Sequence, residues 1–74
     1  MATETLDAKG LQCPMPVLKA KKALKALNSG DTLEVFSTDS GSLQDIPSLC
    51  RSIGDELLES EENEGVYRFL IKKA

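Results

Sequence analysis

The chain has 74 residues, nine basic and twelve acidic, for a net charge of −3 with no histidine and two cysteines. A chain this short buries only about 60% of the surface its unfolded state exposes, so it makes one domain, residues 1–74, with a thin core. The acidic balance and the three aromatic residues, Phe36, Tyr67 and Phe69, argue against nucleic-acid binding, and two thiols without histidine cannot close a tetrahedral zinc site.

Thr3 to Asp7 reads as a first strand, with β-prone Thr3 and Thr5 around Leu6. Lys9-Gly10-Leu11-Gln12 breaks it. Pro14 to Asn28 then reads as a helix, because Val17, Ala20, Leu24 and Leu27 recur at helical spacing and make one apolar stripe. Asn28-Ser29-Gly30 supplies the stop. Asp31 to Thr38 alternates as a second strand, Leu33 and Val35 on one face and Thr32 and Glu34 on the other. Asp39 to Ser42 has loop composition. The second helix carries Ile46, Leu49, Cys50 and Ile53 on its apolar side, with Pro47 expected in its first turn and Gly54 at its end. Glu56 to Glu61 and Val66 to Lys72 read as two strands joined by a turn over Glu62-Asn63-Glu64-Gly65. The order βαβαββ with short loops predicts an α+β two-layer sandwich. Its four-stranded mixed sheet would have two helices on one face, the first two strands parallel and the last two an antiparallel hairpin.

Charge is distributed unevenly. Gln12 to Gly30 holds Lys19, Lys21, Lys22 and Lys25 and no acid, whereas Asp55 to Glu64 holds six acids and no base. Such a bipolar surface orients charged partners. The N-terminal segment lacks the apolar run of a signal peptide, and no stretch is long enough to span a membrane. A cytoplasmic location follows as the expectation, where thiols stay reduced.

Cys13-Pro14-Met15-Pro16 is the most informative segment. Cys13 precedes the helix. Pro14 at the first helical position and Pro16 two residues on sit where a missing N–H costs nothing, so they make a stiff helix start. Met15 and Val17 are then the nearest expected free backbone donors. These donors and the helix dipole favour a thiolate at Cys13. Cysteine is a poor N-cap, which disfavours a purely structural role. A dithiol mechanism would want a second cysteine three residues on, and a Cys–His hydrolase needs a histidine; neither is present. Cys50, on an apolar helix face, is expected to be a buried structural thiol.

The run Leu6-Asp7-Ala8-Lys9-Gly10-Leu11-Gln12-Cys13-Pro14-Met15-Pro16 resembles the opening of the TusA/SirA family of sulfur carriers, whose signature is L-D-x-x-G-x-x-C-P-x-P. The likeness continues through Gly30-Asp31, Thr38-Asp39, Asp45 to Cys50 and Tyr67 to Lys73. It implies a sulfurtransferase that takes sulfur from a cysteine desulfurase or a rhodanese, holds it as a persulfide on Cys13, and relays it to an acceptor protein. The family's acceptors lead to tRNA thiolation, molybdenum cofactor synthesis or sulfur oxidation. Gly10, Pro14 and Pro16 would position the sulfur; Lys19, Lys22 and Arg51 are the candidate partner contacts. No cofactor or metal is implied, and a monomer is the default for a carrier that meets two partners in turn. The competing reading is a regulatory adaptor that binds a partner through its helical face, with Cys13 incidental.

Overall fold

A computed structural model describes residues 3–12 and 15–74. Six elements follow in chain order: β1 (Glu4–Ala8), α1 (Met15–Lys25), β2 (Thr32–Ser37), α2 (Ser42–Ile53), β3 (Glu56–Asn63) and β4 (Val66–Lys72). The predicted βαβαββ order is borne out. The sheet runs β1-β2-β4-β3, with β1 parallel to β2 and β4 antiparallel to both β2 and β3. β4 therefore separates β2 from β3.

Alternation along the strands decides which face meets the helices. Leu33, Val35 and Ser37 of β2 stand opposite Ile71, Phe69 and Tyr67 of β4. All six except half-buried Tyr67 are fully buried. On this layer α1 lays Ala20 and Leu24, and α2 lays Ile46, Leu49 and Cys50. Val17, Leu27, Ile53, Leu6 and Leu57 close the rim. The stripes predicted for both helices are thus the packed ones.

β1 and β2 differ from the expected bounds by one residue at each end, and three other boundaries differ for local reasons. Residues after Lys25 tighten into i→i−3 bonds, from the N–H of Ala26 to the carbonyl of Ala23 and from Leu27 to Leu24, so the α-helix ends before Asn28. α2 begins at Ser42, because a similar tight turn from Leu43 to Ser40 and from Gln44 to Gly41 starts the coil early. Pro47 consequently lies inside α2, not in its first turn. It supplies no N–H to the carbonyl four residues back, at Leu43, but that residue is exposed, where water can serve the carbonyl. The β3–β4 turn needs only Glu64 and Gly65, both at positive φ as a two-residue hairpin requires, and Asn63 pairs directly with Val66.

The other sheet face carries no helix. There Phe36 and Leu70 are half-buried, and Arg68 gathers three carboxylates. Its Nε donates to Glu34, and its Nη1 donates to Glu59 Oε1 at 2.7 Å and to Glu61 Oε1 at 2.6 Å. Glu59, then Glu34, hold the guanidinium still more firmly protonated than an ordinary arginine. Arg68 thereby offsets part of the acidity of β3. Replacement by Met should lower stability by about 1 kcal/mol at low salt, through unbalanced repulsion among the three glutamates. Urea titration should show that loss shrinking at 1 M salt, roughly where the screening length falls to about 3 Å.

Candidate functional site

Both helices begin at the same end of the sheet, where β1 and β2 finish. Ala8, the last residue of β1, pairs with Ser37, the last of β2. The loop 9–12 crosses from there toward α1. Its turn is closed by the Leu11 N–H on the Ala8 carbonyl at 3.3 Å, with Gly10 at φ +83°. That conformation suits glycine, since a Cβ there would be strained. The Lys9 N–H donates to Asp7 Oδ1 at 3.0 Å. Asp7, to which sequence reading assigned no role, thus braces the turn; an aspartate two residues before a loop amide is the local signal for such a bond.

Cys13 and Pro14 lie outside the described residues. Around them, Pro16 is buried in the first turn of α1. The Met15 N–H is not free as expected: it donates to the Gln12 carbonyl at 2.8 Å. That bond takes up the first amide donor of α1.

The outer side of α1 departs from a plain polar surface. Met15 and Leu18 are about half exposed, at 42% and 52%. With a helical period of 3.6 residues they share that side with Lys19, Lys22 and Lys25. Lys19 and Lys22 therefore stand within two turns of Met15. The two helices run the same way, so Arg51, in the last turn of α2, belongs with the Lys22–Lys25 end and not with the loop at Gly10. Its guanidinium reaches Ser48 Oγ at 3.4 Å. Sequence reading missed Met15 and Leu18; two large apolar residues on the polar side of the helical pattern were the available signal.

The sheet face without helices holds a groove of about 410 Å³ lined by residues that include Phe36, Glu61, Val66 and Arg68. Among the described residues no helix is long and apolar enough to cross a membrane.

Cys50 has the opposite character. It is a free thiol buried in the core, as expected. Burial, and secondarily the nearby Asp55 carboxylate, push its pKa from 9.0 up to about 11, while a backbone hydrogen bond pulls the other way.

Comparison with known proteins matches this geometry to one class. The family model described as sulfurtransferase TusA matches residues 4–73. The sulfur carrier protein TusA of Allochromatium vinosum is 49% identical over 96% of this chain and 93% of its own length. A putative sulfur carrier protein of Neisseria meningitidis is 44% identical over 97% of each chain. The crystal structure of a SirA-like protein from Desulfitobacterium hafniense aligns with a TM-score of 0.76 and 33% identity, covering 93% of this chain and 95% of that one. The small α+β sandwich is therefore that of the SirA-like proteins. The chain belongs to the TusA family.

The raised Cys50 pKa has a consequence for stability. An unfolded thiol ionises near 9 and the folded one near 11, so the unfolded state releases its proton first. Stability should fall as pH rises from 9 to 11. In Cys50→Ala the fall should be smaller, at a cost of about 1 kcal/mol at neutral pH for lost packing. Denaturant midpoints of both proteins across that pH range provide the check. In the folded protein at pH 7.5, as about the working pH of such thiol labels, Cys50 should resist iodoacetamide.

Proposed function

We propose that this protein is a persulfide carrier whose working sulfur is Cys13, and that it acts as a sulfurtransferase only together with a donor and an acceptor protein. One observation supports this above the others. In a chain of the TusA family, the Cys-Pro-x-Pro run follows the Gly10 turn in sequence, and its last two residues, Met15 and Pro16, open α1, the helix that starts at the end of the sheet where β1 and β2 both finish. Loops at that end of parallel strands are the usual place for chemistry in such layered folds.

The exchange is redox-balanced. The Cys13 thiolate attacks the outer sulfur of a donor persulfide, the donor's S–S bond breaks, and the donor cysteine leaves as a thiolate. An acceptor thiolate then attacks the terminal sulfur on Cys13, and Cys13 departs in turn. A cysteine desulfurase or a rhodanese fits the first step chemically. The thiolate state that both steps need is favoured by the field at a helix start. The reduced cytoplasm keeps the thiol available between rounds.

Gly10, Pro14 and Pro16 position the sulfur in this reading, and Lys19 and Lys22 steer an acidic partner onto the exposed Met15–Leu18 patch. Arg51 extends the basic stripe at its far end. A monomer leaves Cys13 open to each partner.

Incubation with a cysteine desulfurase and cysteine should add one sulfur atom to the Cys13 peptide, read by mass spectrometry, and Cys13→Ser should abolish it. A folded wild-type chain that stays unloaded while a known carrier is loaded would defeat the proposal. A Cys13→Ser protein that keeps full activity in cells would instead favour an adaptor. Charge reversal at Lys19 and Lys22 together should slow loading by about tenfold at low salt, with less effect at high salt, since rim charges act mainly on association rate.

A further inference from the structure

The loop that leads to Cys13 is tied to the rest of the protein by a side chain from another strand. Three of its amide groups have defined acceptors. Lys9 donates to Asp7 and Leu11 to Ala8, both in the end of β1 just before the loop. Gly10 instead donates to Thr38 Oγ1 at 2.9 Å, a residue 28 positions away at the end of β2. Of the three bonds, that one alone reaches past β1, to the corner where β2 leads into α2.

Thr38 is well suited to the task because its own backbone is pinned on both sides. Ser37 before it is fully buried, and its hydroxyl lies 2.8 Å from the hydroxyl of buried Ser42 in the first turn of α2. The same Ser37 Oγ accepts the Asp39 N–H at 3.1 Å. Asp39 after it accepts the Gly41 N–H through Oδ1 at 3.2 Å and the Ser42 N–H through its carbonyl at 3.0 Å. The hydroxyl of Thr38 is thus presented from a stiff corner between β2 and α2, toward a turn whose own bonds are local. A shift of about 1 Å at a reacting centre is enough to cost orders of magnitude in rate.

We propose that Thr38 is a positioning residue for Cys13: by accepting the Gly10 N–H it fixes the loop and, through it, the approach and ionisation of the sulfur. This rests on the reading of Cys13 as the sulfur-bearing residue. Thr38→Val keeps shape and removes the acceptor; Thr38→Ser restores it.

Two readouts decide the matter. The first is the pH profile of Cys13 alkylation by iodoacetamide, followed on the Cys13 peptide by mass spectrometry. The second is the rate of persulfide loading from a cysteine desulfurase with cysteine. Thr38→Val should retain its circular dichroism spectrum, raise the pH midpoint of alkylation with a rate at pH 7 lower by about threefold, and slow loading by about tenfold. Thr38→Ser should return both readouts to the wild-type values. A folded Thr38→Val that matches wild type in both, or a folded Thr38→Ser that fails to recover, overturns the proposal. Should Thr38→Val not fold, Thr38→Ala against Thr38→Ser decides it by the same criteria. If the wild-type chain itself takes up no sulfur, the persulfide reading fails, and the alkylation profiles still judge Thr38 separately.

Discussion

Phe69 lies fully buried on β4, between Val35 of β2 and Ser60 of β3, and both helices rest on the layer it belongs to. In a chain with so little surface to hide, there is room for one such layer, and every element is arranged to reach it. The most apolar strand has to be central for that to work. β4 carries Phe69 and Ile71 and is flanked on both sides; β3, rich in glutamate, is relegated to the edge. Charged residues on an edge strand also discourage pairing with other chains. The extra residue Leu58, where the β3–β4 register shifts, further roughens that edge.

This ordering explains what was and was not readable beforehand. Element types were legible because the apolar spacing of α1, α2, β2 and β4 is regular: Ala20 and Leu24, Ile46 and Leu49, Leu33 and Val35, Phe69 and Ile71 all fall where their periods put them. The hairpin was visible, but adjacency in sequence does not say on which side of β4 the older strand β2 lies. The boundary of α2 was not legible, because the pull of tight i→i−3 bonds after Asp39 competes with the usual reading of proline as a first-turn residue. Phe36 is apolar, yet the period of two places it on the open face, across from Arg68.

The candidate site divides in the same way. Gly10 was readable from residue type, since a break before a helix that needs positive φ favours glycine. The engagement of the Met15 amide was not, because it depends on how sharply Gln12 turns. Neither was the bond from Gly10 to Thr38, which joins residues far apart in sequence and exists only because β1 and β2 pair in the register Ala8 to Ser37. What the sequence displays is the Cys-Pro-x-Pro run; what the fold adds is the corner of β2 and α2 that ties down the loop before it.

The opposite end of the sheet is fastened quite differently. The Gly30 amide donates to the Lys73 carbonyl and the Lys73 amide to the Asp31 carbonyl, Ser29 Oγ donates to the Ala74 carbonyl, and the Ala74 amide donates to Asp55 Oδ1. These bonds direct the chain beyond β4 away from the Gly10 loop. A second domain or an affinity tag appended after Ala74 would leave beside Ser29 and Asp55, at the end of the sheet opposite the Gly10 loop, so a fused module need not cover that loop.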